Sequence, residues 1–295
     1  MKKRGQAKSF LMAGGVGNQL FILTAGTYYS LQNKESVLFD FSRYVDGIPP
    51  HGSDIRFFNP DAMFQYRPYR NLVIAGLDKI SFRISRALFP TYTSSGVGYD
   101  PALETHVLEN LIFGYFQTYK YLEHPKVRNL IDSLFLGSVS EWFDKCSSEM
   151  VESSTISVHI RRGDYMNVQD TFGVLSSDYY ISAINLILDN SSIEYDRVLV
   201  FSDDFVLAKQ LLRNLKISLP VQFAESSENN PEETLILMSQ ADAIIISNSS
   251  FSWWAAQLGK KSKFVVCPSK WFRDMLDPEE LVPPEWHRRE SQWEI

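Results

Sequence analysis

The sequence predicts an α/β protein built from two Rossmann-like domains. Three observations support this fold class. The chain of 295 residues is long enough for two domains, it opens with a strand, a glycine cluster, a helix and a second strand, and its second half alternates apolar strands with helices. Because ligands of such folds bind beyond the carboxyl ends of the strands, we expect the functional residues there, in a central cleft that the two domains face.

The first domain is predicted over residues 1–145. Residues 41–100 contain many prolines and aromatic residues, so we expect an irregular segment with short helices that faces an acceptor substrate. The regular elements are expected, in chain order, as strand Ser9–Ala13, helix Gly17–Gln32, strand Ser36–Asp40, strand Leu111–Phe116, helix Tyr119–Leu136 and a helix at Glu141–Val151 that leads into the second half.

The second domain is predicted over residues 146–295. Uninterrupted apolar runs such as VLVF and AIII are typical of strands in a parallel sheet that is buried on both faces. The expected strands are Ile156–Ile160, Arg197–Phe201, Val221–Phe223, Ala243–Ser247 and Lys263–Cys267, and the expected helices are Asp178–Leu188, Phe205–Leu212, Glu232–Ala241 and Phe251–Leu258.

Composition excludes several classes of protein. A net charge of −6 argues against general nucleic-acid binding, which requires a basic surplus. Two cysteines are too few for a disulfide framework, and the five histidines show no zinc-binding spacing, so we expect no metal. No apolar run reaches the roughly 18 residues of a spanning helix, and we expect a cytoplasmic protein.

A glycine-rich turn follows the first strand. Gly14, Gly17 and Asn18 would let backbone N–H groups approach a phosphate or a sugar at the start of the next helix. A dinucleotide site is an alternative, because Asp40 ends the following strand, but Leu20 stands where the third glycine of that fingerprint belongs. A tight turn without ligand is the third possibility, and the turn alone does not decide between them.

The segment HIRRGDY follows the first strand of the second domain. Arg161 and Arg162 are expected to clamp a diphosphate through bidentate hydrogen bonds, and His159 is expected on the same strand face as Arg161. An ion pair with Asp164 or a solvated bend is the alternative structural explanation.

Two further polar segments follow strands of the same predicted sheet. Asp203 and Asp204 could bind a nucleoside, although one of them is expected to cap the next helix. The run SNSSFSWW places hydroxyl groups and free N–H groups at a helix start, which favours an anion site. Its binding candidates are Asn248, Ser249, Ser250 and Phe251, whereas the tryptophan pair Trp253 and Trp254 is expected to pack in the core.

With these motifs in order, the sequence resembles the bacterial α-1,2-fucosyltransferase family that builds surface polysaccharides. The similarity rests on GGVGNQLF, VHIRRGDY, FSDD and SNSSFSWWAAQLG, and it extends over residues 10–272. It implies a GT-B-type fold, GDP-fucose as donor without a metal, and inversion at the anomeric carbon. A small departure is Val16, where the family often has leucine.

The resemblance also implies roles for the candidate residues. Arg161 and Arg162 would neutralise the diphosphate, Ser249–Phe251 would contact the β-phosphate or ribose, and Gly14, Gly17 and Asn18 would face the fucose side. The acceptor would be a galactose-terminated oligosaccharide of O-antigen type. If that acceptor is carried on a lipid diphosphate, it would bring the enzyme to the inner face of the membrane. The catalytic base is left open among Asp164, Asp170 and His159, and the tail tryptophans Trp271, Trp286 and Trp293 are candidates for reading the acceptor.

Overall fold

Two parallel β-sheets organise the part of the chain that the computed structural model describes, which comprises residues 7–41, 55, 65–67, 90–134, 136–213, 215–226, 230–261, 264–278 and 280–294. Each sheet belongs to its own compact unit. The first unit is Met1–Phe135 with Pro278–Leu281, and the second is Leu136–Asp277 with Val282–Ile295. The predicted α/β class with parallel sheets is thereby confirmed.

The predicted domain boundary falls inside a helix. Residues 145 and 146 both lie in helix α3 (Glu141–Glu152), whereas the units divide between residues 135 and 136. The helix is fixed to the second unit because Glu233 accepts hydrogen bonds of 2.6 Å from both the backbone N–H and the hydroxyl of Ser140, its N-cap. The N-cap residue of α3 therefore already belongs to the second unit, which begins before the helix and before the predicted boundary.

The first sheet has the strand order β3-β2-β1-β5-β4, with every pair parallel. Its central strand β1 is buried along its whole length. The elements of this unit are β1 (Lys8–Leu11), α1 (Val16–Asn33), β2 (Val37–Asp40), β3 (Gln65–Arg67), β4 (Thr91–Thr93), β5 (Leu111–Phe113) and α2 (Pro125–Asp132), with 3₁₀ turns at Pro101–Glu104 and Lys120–Glu123.

Two predictions for the first unit need correction. The expected helix Tyr119–Leu136 is interrupted at His124, because Pro125 lacks an N–H group and disfavours helical backbone in the residue before it. Most of residues 41–100 lies outside the described residues, and within that segment β3 and β4 form sheet where irregular chain was expected.

The second sheet has the order β8-β7-β6-β9-β10-β11, again with every pair parallel. Starting from β6, the strands β7 and β8 are added on one side of the sheet, and β9, β10 and β11 are added on the other side. This is the dinucleotide-binding strand order, and the order reverses between β6 and β9. Its elements, after α3, are β6 (Thr155–Ile160), α4 (Gln169–Phe172), α5 (Ser177–Asn190), β7 (Arg197–Ser202), α6 (Phe205–Leu212), β8 (Val221–Phe223), α7 (Pro231–Ser239), β9 (Ala243–Ile245), α8 (Ser250–Leu258), β10 (Phe264–Pro268) and β11 (His287–Arg289), with a 3₁₀ turn at Asp164–Asn167.

The core of the second unit lies between its sheet and helices. Val158, Val200 and Ile245 come from three adjacent strands and are at most 1% exposed, and α5 covers them with Tyr180 and Ile184. The predicted burial of Trp253 and Trp254 is confirmed, since both are fully buried in α8. This rigid layer fixes the carboxyl ends of β6 and β9, where the candidate site lies.

Candidate active site

The candidate site of the second unit lies where the strand order reverses. His159 from the end of β6 and Ser247 after β9 meet across this point, with the His159 Nδ1 atom 2.8 Å from the Ser247 hydroxyl oxygen. The imidazole also lies 5.4 Å, between ring centroids, from Phe251 in the first turn of α8. Parallel α/β sheets bind ligands at this kind of position, beyond the carboxyl ends of the strands.

His159 is a neutral residue in this setting. Its side chain is 3% exposed, and burial, followed by the nearby charge of Arg161, lowers the pKa of the imidazole from 6.5 to about 3. The ring can therefore donate or accept hydrogen bonds, but it carries no positive charge at neutral pH. Because a group with so low a pKa binds a proton weakly, His159 is a poor candidate for the catalytic base.

Arg161 presents its guanidinium group between two carboxylates. Nη2 donates to Asp164 Oδ1 at 2.7 Å, and Nη1 lies 3.2 Å from Asp203 Oδ2. The group also lies 5.1 Å from the ring centroid of Tyr165. Its Nε atom is buried and has no hydrogen-bond partner among the described residues. A buried donor without a partner costs free energy, so this guanidinium group can accept a further anionic ligand favourably.

Arg162 does not share this position, and the expected pair of clamping arginines is wrong. Its side chain is 3% exposed and points into the unit, where Nη1 forms a 2.5 Å ion pair with Glu294 and Nη2 donates to the Leu175 carbonyl at 2.9 Å. The physical reason is a partner brought by folding, because the Glu294 carboxylate and the Leu175 carbonyl hold this side chain inside the unit. Glu294 lies 132 residues away in sequence, and no local pattern identifies it as the partner.

The aspartates after β7 have separate structural roles. Asp203 was expected beside a nucleoside, but its Oδ1 accepts the Arg162 backbone N–H at 2.8 Å while Oδ2 faces Arg161. A Cβ atom at Gly163 would lie 2.5 Å from Asp203 Oδ2, so a glycine allows this close approach. Asp204 caps α6 through a 2.9 Å hydrogen bond from Leu207, which confirms that one of the two caps a helix.

The serine-rich turn after β9 leads directly into α8. Ser249 is the N-cap residue in extended backbone, and its hydroxyl forms no capping hydrogen bond. Ser250 and Phe251 begin the helix and are half-buried. The N–H groups of the first helical turn thus lack a side-chain cap, and together with the positive end of the helix dipole they favour an anion.

Asn248 was expected to contact the ligand, but its amide supports the backbone of the site. The side chain is 2% exposed, and its Nδ2 atom lies 2.9 to 3.2 Å from the carbonyl oxygens of Phe172, Gly173 and Trp271. Its own carbonyl accepts from the Tyr165 hydroxyl at 3.2 Å. Asn248 therefore joins the turn after β9 to the segment that follows Arg161.

The glycine turn of the first unit forms its own polar cluster. Gly14 has φ of +72°, and a Cβ atom there would lie 2.5 Å from Asn18 Nδ2. The Asn18 carbonyl oxygen accepts from Gln117 Nε2 at 2.8 Å. Gln117 was missed as a candidate, and the available signal was its place shortly after β5, the strand next to β1. Gly17 is buried in the first turn of α1.

The acidic residue Asp40 does not favour a dinucleotide site. Its side chain is 3% exposed at the end of β2, whereas a ribose-binding carboxylate must be accessible.

The tail tryptophans were expected as acceptor contacts. Trp271 and Trp286 are 2% and 8% exposed, and Trp293 packs against the core of the second unit. Internal packing therefore accounts for all three, and the expectation is wrong.

Within the described ranges, no three His, Cys, Asp or Glu side chains are grouped closely enough to hold a metal ion. Over the same residues, no helix combines the length and apolar character needed to cross a bilayer. Cys146 and Cys267 are free thiols, and Cys267 is buried.

Comparison with known proteins gives one matching family model. Residues 105–290 match the model of Glycosyl transferase family 11. An alpha-1,2-colitosyltransferase of Escherichia coli is 27% identical over 296 residues, covering 95% of this chain and 98% of that protein. The O-antigen biosynthesis glycosyltransferase WbnK, also of E. coli, is 29% identical and covers 88% and 93% of the two chains.

The fold of this chain is similar to that of a solved structure. The fucosyltransferase NodZ from Bradyrhizobium superposes with a TM-score of 0.51 at 14% identity, over 85% of this chain and 93% of NodZ. NodZ is an α-1,6-fucosyltransferase that has been co-crystallised with GDP. The likeness confirms the predicted GT-B-type fold class.

Proposed function

Because the chain belongs to glycosyl transferase family 11, we propose that it is an inverting α-1,2-fucosyltransferase. It would move L-fucose from GDP-β-L-fucose to the 2-hydroxyl of a terminal β-galactose in an O-antigen-type oligosaccharide. One observation carries the proposal: Arg161, with an unpartnered Nε atom, lies at the end of β6, and the adjacent strand β9 leads into the uncapped start of α8.

The donor diphosphate is proposed to bind between Arg161 and the first turn of α8. Asp164 is 52% exposed and Asp203 is 18% exposed, so Asp164 is the partner that a diphosphate can replace at low cost. Asp203 would remain in place, because it also holds the Arg162 backbone N–H. Ser249, Ser250 and Phe251 would supply N–H and hydroxyl donors on the other side.

The chemical step requires charge stabilisation at the leaving group. Departure of GDP leaves an oxocarbenium-like fucosyl centre and builds negative charge on the β-phosphate. A preorganised guanidinium group and helix N–H groups stabilise such charge without needing to reorganise. We therefore propose that no metal is required, and that Arg161 is the catalytic residue that contacts the leaving oxygen.

A general base must remove the proton of the acceptor hydroxyl. His159 is a weak base for the reason given above. Asp164 would be released from Arg161 when the donor binds, and we propose it as the general base. An Asp164→Asn enzyme should keep its GDP affinity and lose turnover, and loss of both would indicate a bracing role for Asp164 instead.

A second donor deserves a direct test, because one relative carries the name alpha-1,2-colitosyltransferase. Colitose is L-fucose without its 3-hydroxyl, so the same diphosphate site could serve either sugar. Sugar selection would then depend on contacts to that hydroxyl.

The deciding experiment incubates the purified protein with GDP-fucose or GDP-colitose and a panel of galactose-terminated disaccharides, followed by linkage analysis of the product. An α-1,2-fucosylated galactose is the expected product, and colitosylated galactose alone would replace our donor assignment. Transfer from neither GDP-sugar would refute the proposal. Adding anionic vesicles to the same assay tests the proposed peripheral contact with the membrane surface.

A further inference from the structure

We propose that Glu294 is a positioning residue that acts through Arg162 on Arg161, and that the C-terminal tail (residues 292–294) delivers it. The inference rests on the proposed function, in which Arg161 holds the leaving diphosphate. Glu294 lies 132 residues beyond Arg162 and outside the motifs that carry the family resemblance.

The C-terminal tail is hydrogen-bonded to residues 174–176, which follow α4. Leu175 and Trp293 form an antiparallel bridge. Two backbone hydrogen bonds make this bridge, one of 2.7 Å from the Ser176 N–H to the Gln292 carbonyl and one of 2.8 Å from the Glu294 N–H to the Val174 carbonyl. The register of the tail is therefore set on both sides of Trp293.

Close packing of the indole reinforces this register. Gly173 has φ of +77°, and a Cβ atom there would lie 2.5 Å from Trp293 Cε3. The same Trp293 packs on the core of the second unit. Because only glycine combines this backbone conformation with so close an approach, the tail has little freedom to slide.

The fixed register brings Glu294 to a buried charge. Arg162 is 3% exposed, and Glu294 forms the 2.5 Å ion pair with its Nη1 atom. A buried guanidinium group without a carboxylate is strongly unfavourable, so Arg162 keeps its inward position only while Glu294 is present.

Arg162 passes this constraint to Arg161 through Asp203. The two oxygens of Asp203 hold the Arg162 backbone N–H at 2.8 Å and the Arg161 Nη1 atom at 3.2 Å. If Arg162 turned outward, its backbone would leave Asp203, and the fork of Arg161 would lose the carboxylate that orients it. Glu294 touches no reacting atom in this scheme, and its effect is on geometry.

The test compares Glu294→Ala with Gln292→Ala in the full-length protein. Gln292 is exposed in the same tail and contributes a backbone carbonyl, so it is a matched control. We expect Glu294→Ala to weaken GDP binding roughly tenfold or more by calorimetry, because small misplacements of a binding group have effects of that size or larger. Gln292→Ala should bind GDP like the unchanged protein.

Coupling to Arg161 separates positioning from a general loss of stability. In an Arg161→Ala background, Glu294→Ala should weaken GDP binding no further, since both substitutions remove the same contact. A lowered melting temperature with unchanged GDP affinity in Glu294→Ala would overturn the inference. If Arg161→Ala itself keeps full GDP affinity, the donor site of the proposed function is wrong.

A second variant covers the case in which Glu294→Ala does not fold. The pair Arg162→Met and Glu294→Met removes both charges and leaves no unpaired ion in the core. We expect this double variant to fold and to bind GDP like the unchanged protein, because no unpaired charge is left to turn residue 162 outward and its backbone N–H can keep Asp203. GDP binding roughly tenfold weaker in the folded double variant would overturn the inference, because the loss would then not come from an unpaired Arg162.

Discussion

Replacement of Arg161 by lysine is the sharpest test of the proposed donor site. The substitution keeps a positive charge but removes the planar fork, whose two ends lie 2.7 Å from Asp164 and 3.2 Å from Asp203. Once the diphosphate has replaced Asp164, one ammonium group cannot hold Asp203 and also bind the phosphate in the geometry of the fork. Each charge-assisted hydrogen bond contributes about 1.5–3 kcal/mol, so the loss of one in the transition state lowers the rate roughly 10- to 100-fold.

The alanine variant should lose more, because it removes the charge as well. Two such hydrogen bonds correspond to a loss of about two to four orders of magnitude in kcat/KM. The assay is the initial rate of transfer from GDP-fucose to a β-galactoside, accompanied by GDP calorimetry and a thermal melt. Arg213, exposed after α6 in the same unit, is the control, and Arg213→Ala should retain full activity. Turnover of the Arg161→Lys enzyme within about threefold of the unchanged enzyme would refute the proposed role of the planar guanidinium group, because lysine cannot form its two parallel hydrogen bonds.

Three further predictions follow from other parts of the structure. Gly14→Ala should lower the free energy of unfolding by about 1–3 kcal/mol in a urea titration, because of its positive φ and the contact with Asn18, whereas Gly96→Ala, with no atom within 4 Å, should have little effect; equal losses would contradict this reasoning. His159 has a lower pKa in the folded protein than in the unfolded chain, so the unfolded chain binds more protons between pH 6.5 and about 3. Stability should therefore decrease as the pH is lowered across that interval, by about 5 kcal/mol. His159→Asn retains a hydrogen-bonding group at the Nδ1 position and should flatten this acid limb, so an unchanged slope would count against the shifted pKa. Activity should survive dialysis against EDTA, and its loss with recovery on adding Mg²⁺ or Mn²⁺ would overturn the metal-independent mechanism.

Local patterns predicted the elements of the second unit closely. Apolar runs bounded by polar turns identified β6, β7, β9 and β10 within a few residues, because a strand buried on both faces tolerates few polar side chains. The short strands β4 and β11 have no such run and depend on pairing with neighbours, so sequence reasoning missed them.

The candidate site was predicted in position more accurately than in detail. Strand ends identified His159 and the turn after β9 as neighbours, because parallel strands place their carboxyl ends at one edge, and the His159 Nδ1 atom lies 2.8 Å from the Ser247 hydroxyl oxygen. The inward turn of Arg162 and the structural use of Asn248 escaped prediction, because both depend on partners far along the chain. The cap by Asp204 was anticipated because helix capping is local.

The sequence by itself determined the fold class and the polar segments that follow the strands β6, β7 and β9. Periodicity and strand-end chemistry act over a few residues, and those residues are adjacent in the chain. Only the tertiary structure decided that one arginine faces the site while its neighbour pairs with Glu294, because a buried ion pair requires a partner that folding brings from 132 residues away.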